Sequence, residues 1–467
     1  MKEQDRNEFY IHPTVLRVLR IVGTVLVLLA VYLSAKVAIT FCLGLFAGSD
    51  YVVQLPWQDS PVVTMENADD PQTISIDPSQ VAEIARTDLA VAGDVMLHLP
   101  IVRTCQTDDG YDFDPIFSYI RPYLSSAGFA VANLETTLSG TDGKEFTGYP
   151  NFNSPDSITL SARTAGIDML LTGNNHCYDY GTEGLQRTLS VLQSYGITAL
   201  GTSASRDQSR HLIQSVGGIN VGMVCYTYAQ IDNAGNATLG GMTTDASGAG
   251  LVNVFDYNRL SQFYTEIEGE LQAMTGSGAD ITVLYIHWGE EYSTVVSDIQ
   301  KEMAQKLCDL GVDVIIGTHP HVVQPLDLLT ATNNPEHRTI CLYSAGTLLS
   351  NLRADTVNMP TSHCEDGVVL NLTLGKYNDG SVRVTGIKLL PTWVYVDGEG
   401  ETRDFYILPL DPTVPDWAGA YNLSADQLSH AKASYNRTME LLTPGLNKIT
   451  NHLVGQSAAL NPDLGVG

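Results

Sequence analysis

Five short stretches of this sequence place carboxylates, amides and imidazoles directly after apolar runs. Ala90-Val91-Ala92 leads into Gly93-Asp94, and Val131-Ala132 into Asn133-Leu134-Glu135. Leu170-Leu171 is followed by Thr172-Gly173-Asn174-Asn175-His176, Tyr285-Ile286 by His287-Trp288-Gly289-Glu290-Glu291, and Ile315-Ile316 by Gly317-Thr318-His319-Pro320-His321. Carboxylate, amide oxygen and imidazole make a donor set suited to zinc, manganese or ferrous iron. A single His or Asp at the end of a strand is usually satisfied structurally, as a hydrogen-bond partner or a helix cap. Five such groups in one recurring context point instead to a common centre. His319 and His321 are the sharpest pair. An extended H-x-H puts both side chains on one side of the chain, and the glycine before them permits a tight turn.

The elements that must position these groups follow from the alternation of short β-rich runs with helical ones. Strands are expected at Asp88–Ala92, Phe129–Ala132, Ile167–Leu171, Val221–Tyr226, Ile281–Ile286, Val312–Ile316 and Thr339–Tyr343. Helices are expected at Asp114–Ser126, Thr182–Tyr195, Tyr257–Met274 and Ser297–Leu310. That alternation is the signature of an α/β fold. In parallel sheets, ligands bind beyond the carboxyl ends of the strands, where all five polar stretches fall. Val368–Leu374 and Ser381–Leu389 read as an antiparallel pair closed by the turn Asn378-Asp379-Gly380. Ser424–Leu442 reads as an amphipathic helix.

The chain has 467 residues and a formal net charge of −27. So acidic a surface repels nucleic acid and anionic lipid and attracts divalent cations. The seven cysteines lack metal-finger spacing. Cys225, Cys308 and Cys341 fall in apolar strand or helix patterns, Cys42 in the N-terminal apolar run, and the other three leave a disulfide open.

Residues 21–47 form an apolar run interrupted only by Lys36. It is long enough to cross a bilayer as a helix. Arg17 and Arg20 precede it, and no further Lys or Arg follows Lys36 until Arg86. The positive-inside rule then makes residues 1–20 a cytoplasmic tail and 21–47 a single-pass anchor in the cell membrane. It puts everything after about residue 48 outside. The run exceeds the apolar core of a secretory signal, and no clear cleavage site follows it. Residues 48–84, rich in Asp, Pro, Ser and Gln, read as a stalk, 85–395 as the main domain and 396–467 as a C-terminal helical extension.

In order, Gly93-Asp94-Val95-Met96, Asn133-Leu134-Glu135, Gly173-Asn174-Asn175-His176 with Asp179-Tyr180-Gly181, His287-Trp288-Gly289 and Gly317-Thr318-His319-Pro320-His321 resemble the motifs of the bacterial capsule-synthesis CapA family, which includes poly-γ-glutamate synthesis proteins. Tyr343-Ser344-Ala345-Gly346 and Pro391-Thr392-Trp393 resemble later segments of that family. The family in turn resembles the calcineurin-like metallophosphoesterases. This implies an αββα sandwich, two packed sheets flanked by helices, around two divalent ions (Mn, Zn or Fe). By that resemblance Asp94 is the bridging or first-site carboxylate, Glu135 the second carboxylate and Asn175 the amide ligand. His287 and His319 take the second ion, His321 the first, and His176 is the catalytic histidine facing the leaving group. Asn133, Asn174, Asp179, Glu290 and Glu291 are candidates to orient these groups. One departure stands out: Met96 occupies the position of a phosphoesterase histidine ligand, with His98 two residues later as a possible substitute. Two functions remain open. One is a metal-dependent hydrolase of a phosphoester or an envelope-polymer linkage. The other is a non-catalytic component of a polymer synthesis and export complex.

Overall fold

The computed structural model describes residues 81–354, 359–398, 400 and 403–460. The expected anchor at 21–47 lies outside the described residues. Among those described, no helix is long and apolar enough to cross a membrane.

Strands β1 (Glu83–Val95), β2 (Phe129–Leu134), β3 (Met169–Leu171) and β4 (Thr198–Leu200) lie parallel in one sheet. The chain then builds a second sheet from β5 (His211–Val216), β6 (Ile219–Tyr228), β7 (Val254–Phe255), β8 (Ile281–His287), β9 (Val314–Thr318), β10 (Val323–Thr330) and β11 (Arg338–Ala345). Its order is β7-β6-β8-β9-β11-β10, with β5 antiparallel on β6. The chain finally returns to the first sheet. There β12 (Thr347–Leu349) pairs parallel with β1, and β13 (Asp366–Tyr377), β14 (Val382–Asp397) and β15 (Asp404–Pro409) extend it antiparallel.

Strand alternation sorts the apolar side chains into three layers of core. Leu89 and Val91 of β1 face inward, and so do Val221 and Met223 of β6 and Val283 and Tyr285 of β8; they share one core between the sheets. Ala90 and Ala92 face the opposite way, onto α1 (Ser157–Ala165) and α2 (Gly181–Ser194). Leu284 and Ile286 of β8 pack outward against α3 (Leu260–Gly276) and α4 (Asp298–Leu310). The result is helices, sheet, sheet, helices. Helix α4 starts at a capping box in which the Ser297 side chain and the Gln300 side chain each serve the other's backbone N–H.

Three expectations need correction. The helix expected over Asp114–Ser126 is two short pieces, Asp114–Phe117 and Arg121–Leu124. Pro115 and Pro122 each sit in the first turn of a piece, where proline is tolerated; Pro122 would break a continuous helix. The helix expected to stop at Leu442 runs on as α5 (Ala425–Leu460), through Pro444. Packing overrides the proline: Leu442 and Ile449 enter the inter-sheet core, and Gly445 lies against the Leu326 carbonyl, where any side chain would collide. The segment after residue 395 is not helical throughout. Phe405 and Ile407 bury into the core outside the first sheet, so β15 completes that sheet before the helices begin.

Candidate metal centre

The carboxyl ends of the parallel strands in both sheets meet along one rim. Asp94 is the penultimate residue of β1, Asn133 lies near the end of β2 and Glu135 follows it. Asn174, Asn175 and His176 occupy the loop after β3. From the other sheet, His287 ends β8, and His319 and His321 follow β9. Two close backbone contacts make the rim possible. Gly93 lies against the Gly346 carbonyl and Gly317 against that of Tyr343, so a Cβ at either would collide with backbone.

All six proposed ligands converge. His321 Nδ1 is 2.9 Å from Asp94 Oδ2, and His287 Nε2 is 2.7 Å from Asn175 Oδ1 and 3.1 Å from His319 Nδ1. Glu135 Oε1 stands between the two histidine groups, 3.6 Å from His287 Nε2 and 3.7 Å from His321 Nε2. Two overlapping donor sets span no more than 4.8 Å: Asp94, Glu135 and His287, and Glu135, His319 and His321. Glu135 belongs to both. The contacts pair His321 with Asp94 and His287 with His319, whereas the donor sets join Asp94 to His287 and His319 to His321, so the geometry does not assign the histidines to separate ions. Asp94, Glu135, His287 and His321 are buried, whereas Asn175 and His319 are half-buried. The centre thus has a deep side and a side that reaches solvent.

These donors fit a cation on an independent ground. Glu135 Oε1 is buried and has no hydrogen-bond partner. A buried carboxylate oxygen without a hydrogen bond is costly. The one charge facing it, the His321 imidazolium 3.7 Å away, lies beyond hydrogen-bond reach, which leaves room for a cation between them. The backbone is also strained here: His319 has φ 96° and His321 φ 55°, left-handed values that non-glycine residues seldom adopt outside functional sites.

Amides hold the carboxylates in place. Asn133 Nδ2 donates to Asp94 Oδ1 at 2.8 Å and to Glu135 Oε2 at 3.2 Å. Asn174 Nδ2 donates to Asn133 Oδ1 at 3.1 Å and to the Leu134 carbonyl at 2.8 Å, while its own Oδ1 accepts from the His176 amide. One chain of hydrogen bonds therefore links His176 to both carboxylates. His176 Nδ1 lies 2.9 Å from Asp179 Oδ2, which also accepts from the Phe152 amide. The Phe152 ring stands edge-on to His176, with centroids 4.7 Å apart.

Burial is the largest influence on every shifted group here. It lowers His287 well below its ordinary value, helped by His319, and takes His319 down to about 3. It also raises Glu135, against the pull of His321. His321 goes the other way. Burial disfavours its charge, but the Glu135 carboxylate and the Asp94 hydrogen bond raise it to about 9.

The remaining candidates divide. Asn133, Asn174 and Asp179 touch the groups they were expected to orient. Glu290 and Glu291 are exposed, and Glu291 acts on Glu135 and His321 by its charge. His98 lies outside both donor sets. Its Nδ1 accepts from the Asn351 amide at 3.2 Å, its ring meets Phe152 edge-on, and burial lowers it to about 4. Met96 joins Phe152, Val322, Leu352 and Cys364 in a small apolar wall beside the centre. Sequence reasoning missed Thr318, whose Oγ1 lies 2.9 Å from His287 Nδ1 and orients that ring. A threonine inside a strand reads only as a strand former. The six described cysteines are all buried and unpaired.

The chain belongs to the bacterial capsule synthesis protein family, whose profile matches residues 88–352. It is 24% identical over 261 residues to the capsule biosynthesis protein CapA of Bacillus anthracis, covering 55% of this chain and 60% of that one. To the PGA biosynthesis protein CapA of Bacillus subtilis it is 24% identical over 300 residues, covering 64% and 70%. A probable polyglutamine synthesis accessory protein of Mycobacterium tuberculosis is 25% identical over 201 residues, covering 42% of this chain and half of its own length.

Proposed function

We propose that this member of the bacterial capsule synthesis protein family is a membrane-anchored, extracytoplasmic hydrolase that works with two divalent ions. Its substrate would be a phosphoester or a linkage in an envelope polymer. The observation that carries this reading is Glu135, which belongs to both donor sets and whose buried Oε1 has no hydrogen-bond partner. Asp94, Glu135, Asn175, His287, His319 and His321 would hold the ions. When bound, the ions would acidify a water and neutralise charge on the group under attack.

The chain's own contribution is then positional and acid–base. Asn133 keeps Asp94 and Glu135 aimed into one space, and Thr318 fixes the His287 ring. Asp179 holds His176 by Nδ1 and leaves Nε2 for the substrate. In its protonated form, Nε2 would give its proton to the departing oxygen, a general-acid role. The Phe152 ring stands edge-on to His176 and belongs to the apolar Met96 cluster.

The test is elemental analysis of the purified full-length chain together with turnover of bis(p-nitrophenyl) phosphate with added Mn2+. About two ions per chain and turnover lost in His176→Ala support the hydrolase. Bound metal without turnover, here and on envelope polymers, leaves the second reading. In that reading the chain is an accessory component of a polymer synthesis complex, which the Mycobacterium tuberculosis relative's name favours. The anchor has its own test: protease added to intact cells should digest the chain beyond residue 48, and full protection refutes that orientation.

A further inference from the structure

The loop that carries Asn175, His176 and Asp179 is covered by an insertion between β6 and β7. Within it, Gln230–Ile231, Ala237–Leu239 and Met242–Thr243 form a small antiparallel sheet. Leu239 pairs with Met242, so Gly240 and Gly241 alone make the turn. Their φ values, 52° and 87°, are those of a type I′ hairpin turn. Leu239, Ala237 and Ala229 bury against Cys177, Tyr178 and Leu185, with Met242 at the edge of the cluster. The insertion is tied down further where Asp245 and Ser247 meet Tyr178 and Thr182.

The tip of this hairpin rests on the backbone of the proposed amide ligand. A Cβ at Gly240 would lie 2.5 Å from the Asn175 carbonyl oxygen and 3.7 Å from Asp179 Oδ1. At Gly241 a Cβ would meet nothing within 4 Å. The Asp179 oxygen beneath Gly240 is buried and has no hydrogen-bond partner. Asp179 is therefore kept in place through its other oxygen and by the shape of its surroundings. The two glycines share one turn and one kind of backbone conformation, yet only one of them touches the site.

We propose that Gly240 is a positioning residue for the metal centre: the hairpin tip clamps the Asn175–Asp179 loop and so sets where the amide ligand and the His176–Asp179 pair stand. This rests on the metal-binding reading given above. Turn chemistry and clamp chemistry make opposite demands at this position. Asn-Gly is the preferred type I′ sequence, so Gly240→Asn suits the hairpin as a local turn. The clamp forbids it, because the added Cβ pushes the Asn175 backbone away from the position that puts its side chain beside His287.

The experiment titrates Mn2+ calorimetrically into the full-length chain stripped by chelator, for wild type, Gly240→Asn and Gly241→Asn. Melting temperatures of the metal-free proteins are measured in parallel. The expected result is a loss of about tenfold or more in Mn2+ affinity for Gly240→Asn, the usual cost of disturbing a ligand's support. Gly241→Asn should bind as wild type, and all three metal-free proteins should melt cooperatively. If Gly240→Asn does not fold, Gly240→Ala is titrated against Gly241→Ala, which carries at least as large a left-handed penalty without the contact. Equal affinities for the two glycine variants overturn the clamp. Wild type taking up neither Mn2+ nor Zn2+ overturns the metal centre itself, and the clamp with it.

Discussion

In the metal-free protein, Glu135→Gln should strip His321 of most of its hold on a proton. The Gln side chain keeps the shape and can still accept from Asn133 Nδ2 through its oxygen. Where the wild-type carboxylate is ionised, a window that burial narrows by raising Glu135, the variant loses a full charge 3.7 Å from His321 Nε2. At an effective dielectric constant near 20, a charge pair at that distance is worth about 4 kcal/mol. With 1.36 kcal/mol for each pH unit, this corresponds to roughly three pH units. His321, held up to about 9 in the wild type, should then titrate near or below the ordinary histidine range. The sign for stability follows. A histidine whose pKa is raised on folding adds stability that is complete below about 6.5 and is lost as pH rises through about 9. Wild type without metal should therefore melt at progressively lower temperature between those limits, and Glu135→Gln should show a much smaller decline. Histidine NMR titrations and thermal melts in chelator read both. If His321 of Glu135→Gln still titrates near 9, the carboxylate does not support the imidazolium and the electrostatic account of the centre is wrong.

Three further outcomes are expected. His176→Ala should keep the metal content of wild type and lower turnover by about 10²- to 10⁴-fold, the usual contribution of a positioned general acid; metal lost together with activity would contradict the separation of roles. His319→Ala should lower metal content while leaving the metal-free melting temperature nearly unchanged, because this ring is half-buried at the solvent side of the centre; unaltered metal stoichiometry and affinity would remove it from the ligand set. Arg437→Ala should destabilise the fold by about 3–5 kcal/mol in urea titrations, because it leaves the buried Asp366 carboxylate without its guanidinium. That loss should shrink toward low pH, since burial already raises Asp366 to about 6 and a proton then replaces the missing charge; a cost that grows on acidification would refute this account.

The parts of this structure that the sequence makes legible share one physical property: they depend on short-range pattern. Asp94, Glu135, Asn175, His287 and His321 stood out because each follows an apolar run that can only be a strand, and parallel strands end at a common rim. Helix α4 is expected over Ser297–Leu310 and forms over Asp298–Leu310. The parts that stayed hidden depend on contacts between distant segments. Nothing near Thr318 announces that its hydroxyl meets His287, 31 positions away. The close approach of Gly445 to Leu326 carries α5 past Pro444 and leaves no local mark. His98 reads equally as a substitute for the histidine absent at Met96 and as a plain loop residue; its ring meets Phe152 edge-on and its Nδ1 accepts from the Asn351 amide. β15 goes unread because the whole of 396–467 reads as a helical extension.

The order in which this chain is made sets a constraint of its own. β1, the earliest described strand, lies inside the first sheet, with β2 on one side and β13 on the other. Its pairing of Asp88 with Thr373 joins residues 285 positions apart. α5, the last described element, delivers Leu442 and Ile449 to the core between the sheets. A ribosome proceeding from the N-terminus therefore releases a first strand that must wait for nearly the whole chain before it has both neighbours. Contacts so remote in sequence form slowly, because a long loop must close before they repay its entropy. Until then the open edge of β1 is exposed to wrong partners. A chain shortened by its final helix would keep every strand of both sheets but lose Leu442 and Ile449 from the core between them, leaving apolar surface there open to water.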